Sequence, residues 1–145
     1  MANEHFSVGL SGDDMYIWDV LIFGPKDTPY ENGIFRARMV FPVQYPDAPP
    51  TFRFLSEMYH PNIDEEGNVC ISILHKPGED KYGYEALSER WLPVRSPESV
   101  ILSVISLLTS PNCESSANLK AAQNLRDSPE TYYQKIRRLA QKTLE

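Results

Sequence analysis

The chain has 145 residues, 41% of them hydrophobic, which is enough for one domain to bury a core without metal or disulfide staples. Its formal net charge is -6, and its lysines and arginines are scattered singly and in pairs, so no basic stripe exists to neutralise nucleic-acid phosphates or an anionic lipid surface. No apolar run approaches the roughly 20 residues of a membrane span, and Met1-Ala2-Asn3-Glu4-His5 lacks a signal pattern, so neither nucleic-acid binding nor membrane insertion is expected.

From Phe6 to Ser56 apolar residues alternate between turn signals such as Ser11-Gly12-Asp13-Asp14 and Gly24-Pro25, which predicts a meander of strands. Phe35, Ala37, Met39 and Phe41 alternate with Arg36, Arg38 and Val40, a period of two that turns an apolar face inward and two arginines outward. Tyr16 to Gly24 and Thr51 to Leu55 read as neighbouring strands. The proline-rich stretch from Phe41 to Pro50 cannot hold a central strand or a helix, because proline removes a backbone donor and restricts the residue before it. It reads as a stiff loop in which an X-Pro bond is a candidate for cis.

Lys76 to Arg90, rich in charge and glycine, reads as a long surface loop of the kind tied to function. Ser96-Pro97-Glu98 then supplies an N-cap, a first-turn proline and an acid at the positive end of a helix. That helix is predicted from Pro97 to Thr109, with Val100, Ile101, Val104, Ile105 and Leu108 on one stripe for core packing. A shorter helix is predicted from Ser115 to Leu125, and a last one from Ser128-Pro129-Glu130 with Tyr133, Ile136, Leu139 and Ala140 as its buried side. With no repeat, linker or low-complexity segment, one domain over residues 1–145 is expected.

The chemistry concentrates between His60-Pro61-Asn62 and Cys70, a proline-braced turn that brings one thiol beside one side-chain amide. A thiol accepts an acyl group by thioester exchange with little acid-base help, since the exchange is near thermoneutral. Asp64, Glu65 and Glu66 make the surroundings of Cys70 negative, which holds the thiol pKa up and suits a carrier more than a hydrolase. Asn62 either donates to the oxyanion formed when an amine attacks the thioester, a contribution of ~3 kcal/mol in comparable oxyanion holes, or pins the turn. A lone cysteine is more often a small buried hydrophobe, and Val69 and Ile71 fit that reading. His60, followed by proline, reads as a structural hydrogen-bonding group, and His75 as a weaker candidate base or ligand. Cys113 reads as an incidental exposed thiol, and the two cysteines lack the spacing of a zinc site or secreted disulfide framework, so no metal site is expected.

These residues resemble the ubiquitin-conjugating enzymes, whose signature is the His-Pro-Asn turn followed by a thioester-forming cysteine, here Asn62 and Cys70. The resemblance runs from Gly24-Pro25 through Tyr45-Pro46, Pro49-Pro50 and Trp91 to the final helices. It implies an α+β fold with a four-stranded antiparallel meander sheet packed against helices. It also implies that Cys70 carries the C-terminal carbonyl of ubiquitin as a thioester and passes it to lysine. The implied partners are ubiquitin, an activating enzyme and a ligase, RING type expected. No cofactor is bound directly, because ATP is used by the activating enzyme.

Ile71 to Leu74 and the segment from Gly78 to Trp91 resemble the family branch with an extended loop after the cysteine, its G1 and G2 types, associated with chain building, protein quality control and proteasomal degradation. There Glu79, Asp80, Glu85 and Glu89 either attract a basic lysine-bearing surface, cover the thioester, or are simply solvated. Ser72, Glu114 and Ser115 take supporting positions around the site. The chain departs from the family pattern at these places, so activation of the acceptor lysine by position 114 or 115 is not implied. Ligase-contacting loop tips map onto Asp47 and Ala48 and onto Leu92, Pro93 and Val94. The family's N-terminal helix is expected to be absent, which marks a truncation or a variant with weakened charging and uncovers apolar surface. The location implied is cytoplasmic, with the nucleus or, through partners, the cytosolic face of the endoplasmic reticulum as alternatives. Two other readings stand beside the carrier: a non-catalytic ubiquitin- or ligase-binding module, and a cysteine hydrolase, which needs an oriented histidine base.

Overall fold

Four strands form in chain order: β1 (Phe6–Ser11), β2 (Asp14–Phe23), β3 (Ile34–Val40) and β4 (Thr51–Phe54). They pair antiparallel with their sequence neighbours in the order β1-β2-β3-β4, the meander predicted from alternation. The computed structural model describes residues 2–75, 91–113 and 116–145, so the acidic positions Glu79, Asp80, Glu85 and Glu89, and also Glu114 and Ser115, lie outside the described residues. Gly12 takes a φ of 64° in the β1–β2 turn, a left-handed conformation that glycine adopts without a Cβ penalty.

The sheet is sided as its period of two requires. Val20 and Ile22 from β2, Phe35, Ala37 and Met39 from β3, and Phe52 and Phe54 from β4 are buried, whereas Arg36 is exposed and Arg38 reaches Asp19 across the strand pair at 3.3 Å. The apolar face joins Val100, Ile101, Val104 and Leu108 of α1 (Pro97–Thr109) and Tyr132, Ile136 and Ala140 of α3 (Pro129–Lys142) in one cluster. Full burial of a side chain the size of Ile101 stabilises the fold by about 1.5–3 kcal/mol. Helix α1 begins where predicted, with the Ser96 hydroxyl accepting the Ser99 N–H at 3.1 Å.

Two helix expectations are corrected. Helix α2 spans Leu119–Asp127, later than the predicted start at Ser115. The Ala117 and Asn118 N–H groups both donate to the Pro61 carbonyl, at 2.7 and 3.0 Å, and Asn118 holds an extended backbone, φ -130° and ψ 97°, through which no helix can run. Asn118 caps instead, accepting the Ala121 N–H at 3.0 Å. In α3 the deeply buried tyrosine is Tyr132, while Tyr133 and Leu139 only pack against the edge of the core. No helix precedes β1 among the described residues; Ala2 instead bridges back to Ser7. No helix is long and apolar enough to cross a membrane among those residues.

In the loop after β3, the Tyr45-Pro46 bond is cis. Trp91, fully buried, donates its indole N–H to the Pro46 carbonyl at 2.8 Å and stacks near Tyr45 with centroids 5.8 Å apart. One residue therefore staples the 41–50 loop to the start of the 91–95 loop. The Trp91 N–H also donates to the His75 carbonyl at 2.9 Å, so the two flanks of the long segment after the cysteine meet.

Candidate active site

The turn that presents Cys70 is built against β4. Asp64 organises it, its carboxylate accepting the N–H groups of Glu66 and Asn68 at 2.9 Å each. Gly67 follows with φ 96°, and a Cβ there would lie 2.2 Å from the Phe54 carbonyl oxygen, so only glycine lets the turn lie on the strand. Val69 donates to Phe52 at 3.0 Å, and the Cys70 N–H then donates to the Asn62 carbonyl at 2.9 Å. The thiol stands next to the His60–Asn62 turn at the end of a chain whose every step is hydrogen-bonded.

His60 is fully buried and structural. Its Nδ1 accepts the Asn62 N–H at 3.0 Å and its Nε2 lies 2.9 Å from the Leu107 carbonyl. A main-chain N–H only donates and a carbonyl only accepts, so the ring is the neutral Nε2–H tautomer. Burial drives its pKa down to about 4, against a smaller opposing effect of the Leu107 bond. Both nitrogens are committed to main chain, so His60 is no base for Cys70.

Asn62 is 1% exposed, and its side chain holds Asn112 at both ends: Oδ1 accepts the Asn112 N–H at 2.8 Å and Nδ2 donates to the Asn112 carbonyl at 2.7 Å. Its main chain holds Cys70. Asn62 thus clamps the cysteine strand to the loop after α1. Sequence reasoning missed Asn112 and Leu107, because their polar main-chain groups carry no side-chain signature and lie 50 and 47 residues from their partners. Pro61 is buried, and its carbonyl accepts the Ala117 and Asn118 N–H groups ahead of α2.

Cys70 is half-buried, and its thiol pKa is raised, first by burial and then by the Asp64 carboxylate. The acidic neighbourhood expected from sequence therefore acts through Asp64, with desolvation ahead of it. Ser72 opens a 3₁₀ turn, Ser72–Leu74, and lines an open groove of about 330 Å³ beside Ile71 and Ile73, with Arg95, Ser103 and Ser106 on the opposite wall. Cys113 is exposed. Among the described residues no group of three His, Cys, Asp or Glu is placed to hold a metal.

Of the loop-tip positions, Asp47, Pro93 and Val94 are exposed and Leu92 is half-buried. Ala48, expected at a contacting tip, is instead 5% exposed. Its N–H and that of Asp47 fold back onto the Gln44 carbonyl, which tucks the alanine beneath the loop. The apolar side chain that does project from this loop is Val43, 96% exposed, matching Val94 at 89% on the neighbouring loop.

An α+β core that offers a half-buried thiol on a rigid turn, with its histidine turned away into the scaffold, has the architecture of a cysteine acyl carrier and not that of a hydrolase. A sequence model of the family described as ubiquitin-conjugating enzyme matches residues 1–140. Ubiquitin-conjugating enzyme E2 15 of Schizosaccharomyces pombe is 52% identical over 143 residues, covering 98% of this chain and 86% of that protein. Probable ubiquitin-conjugating enzyme E2 7 of Caenorhabditis elegans is 53% identical over 143 residues, 98% of this chain and 87% of its own length. Ubiquitin-conjugating enzyme E2 G2 of Bos taurus is 48% identical over 135 residues, 93% of this chain and 82% of its own. The chain belongs to the ubiquitin-conjugating enzyme family.

Proposed function

We propose that Cys70 is the residue that carries ubiquitin. Its thiolate attacks the carbonyl of a ubiquitin thioester on the activating enzyme and displaces that enzyme's cysteine thiolate. A lysine amine then attacks the new thioester, loses a proton, and expels the Cys70 thiolate. Thioester exchange is near thermoneutral and needs no paired base, which agrees with a site whose histidine is committed elsewhere. ATP enters at the activating enzyme, which forms the first thioester.

The observation that carries this reading is the clamp: a half-buried thiol whose main-chain N–H is fixed by Asn62, while the Asn62 side chain is spent on Asn112. Asn62 acts here as a positioning residue that sets the loop carrying the acceptor side of the site. We assign the groove lined by Ser72, Arg95, Ser103 and Ser106, which adjoins the residues that follow Cys70, to the extended tail leading to the thioester. Val43, Asp47, Leu92, Pro93 and Val94 form the ligase-facing tips, and a RING-type ligase fits two small loops held side by side by Trp91. Cytoplasmic conjugation follows from the same reading.

Incubation with activating enzyme, ATP and ubiquitin, followed by non-reducing gels, tests it. A thiol-labile adduct is expected in the native sequence and in Cys113→Ser, and its absence from folded protein would favour the binding-module reading.

A further inference from the structure

Leu119, the first residue of α2, is 77% exposed, while Ala121 and Ala122 behind it are buried. It stands between two open grooves and lines both. One, of about 480 Å³, separates Glu65 and Glu66 from Lys120; the other, of about 510 Å³ and with mostly apolar walls, reaches from Cys113 past Leu125 to Arg126. An exposed leucine alone means little, since much of any folded surface is apolar. This one is anchored to the active-site turn. The N–H groups of Ala117 and Asn118, the two residues before it, donate to the Pro61 carbonyl, and the carbonyl of the next turn residue, Asn62, accepts the Cys70 N–H. Neither groove shares a lining residue with the one assigned to the ubiquitin tail, so a second molecule can lie here while the tail is in place.

The charges are sorted across this apolar ridge. Glu65 and Glu66 are exposed on the turn side, and neither enters an ion pair among the described residues, whereas the Asp64 carboxylate is spent on main-chain N–H groups. On the helix side Lys120 is exposed opposite them, and Arg126, seven residues after Leu119 and so on its face of the helix, is exposed beside Asp127 at 3.1 Å. A segment crossing the ridge meets negative charge at one end, an apolar side chain in the middle and positive charge at the other. We propose that this surface receives the segment of the acceptor protein that carries the attacked lysine, with an apolar side chain against Leu119, basic residues toward Glu65 and Glu66, and acidic residues toward Lys120 and Arg126. This acceptor site rests on the carrier reading of Cys70. Its chemistry is that of the carrier: the lysine nitrogen bonds to the terminal carbonyl carbon of ubiquitin, the carbon–sulfur bond breaks, the Cys70 thiolate leaves, and the amine proton passes to solvent. The surface adds a choice among lysines by what flanks them.

The probes are two capped peptides of one composition, Arg-Arg-Lys-Leu-Glu-Glu and its reversal, Glu-Glu-Leu-Lys-Arg-Arg. Single-turnover discharge of protein charged at Cys70 is measured to each, every rate being divided by that of the same variant to free lysine. One chain direction is expected to be favoured by about threefold, the size that one or two exposed ion pairs give. The variant Glu65→Lys, Glu66→Lys, Lys120→Glu, Arg126→Glu, which swaps the polarity, is expected to invert the preference, and Leu119→Ser to lower both relative rates several-fold. A merely structural disturbance slows free lysine equally and does not invert an order. Where the fourfold variant fails to fold, Arg126→Glu alone carries the test and is expected to shrink the preference. Equal rates for the two peptides, or a preference that survives these charge changes, would overturn the proposal. Charging is scored first, and a folded protein that never takes ubiquitin counts against the carrier reading. The surface is then judged on uncharged ¹⁵N-labelled protein titrated with both peptides: saturable shifts at the amides of Ala117, Leu119, Lys120 and Gln123, with a Kd on the order of 1 mM, support it, and their absence overturns it.

Discussion

Cys70 titrates high for a reason that differs from residue to residue around it. Burial comes first and the Asp64 carboxylate second, and both disfavour the thiolate. Alkylation of Cys70 by iodoacetamide is therefore expected to keep accelerating at pH values above those at which an ordinary thiol levels off. Asp64→Asn is expected to lower that midpoint, because the removed charge is the one that opposes ionisation. His60 gives a second pH signature. Its pKa falls from 6.5 to about 4 on folding, so the unfolded chain binds the extra proton between these values. Stability from this group is full above about pH 6.5 and is lost as pH falls toward 4, in all about 3 kcal/mol. Urea titrations at pH 7 and 4.5 are expected to show this loss, and His60→Gln to show a smaller one. At Asn62 the carrier chemistry and the scaffold can be separated. Asn62→Asp keeps the acceptor for the Asn112 N–H but sets an acceptor against the Asn112 carbonyl, now 2.7 Å from Nδ2. A lowered Tm together with slower lysine discharge is expected; an unchanged Tm with slow discharge would restore the oxyanion role. The thiol, the turn and the structural histidine were legible in sequence because their chemistry lies in side chains at short range. The clamp was not, since Asn112 contributes only main-chain atoms from 50 residues away.

Among the elements, the strands and α1 followed their periods closely, because alternation and the Ser96-Pro97 cap are local signals. The start of α2 escaped the same reasoning, since it is set by the extended backbone and cap at Asn118, whose N–H is docked on the Pro61 carbonyl of the active-site turn. The choice between Tyr132 and Tyr133 escaped it too: two adjacent aromatics fit one stripe almost equally, and the neighbouring elements select which is covered. The turn before Cys70 depends on Gly67 more than its sequence context reveals. Gly67→Ala meets both a positive φ and the Phe54 carbonyl, so a loss of about 1–3 kcal/mol from backbone conformation alone is expected, with further loss from the clash, measurable by denaturant titration. Ala48 shows the same limit at the loop tips, where a fold-back onto Gln44 decided which residue faces outward.

At the scale of the whole molecule, the α+β architecture and the carrier chemistry share one design. A meander sheet supports a turn held by hydrogen bonds from β4, α1 and the connection between α1 and α2, and the thiol needs no base of its own because exchange between thioesters is nearly level in energy. The overall layout was legible because the sheet and α1 announce themselves by period and the turn by composition; the residues that join them do so through tertiary hydrogen bonds that no local pattern encodes. The central claim is that acyl transfer runs through Cys70. Its most direct test is intact-mass and peptide mapping of the charged protein. One ubiquitin is expected, bound through a thiol-labile ester at Cys70, and as a thiol-resistant oxyester in Cys70→Ser. An adduct that maps to Cys113 or to a lysine, or that persists as a thiol-labile species in Cys70→Ser, would contradict the account.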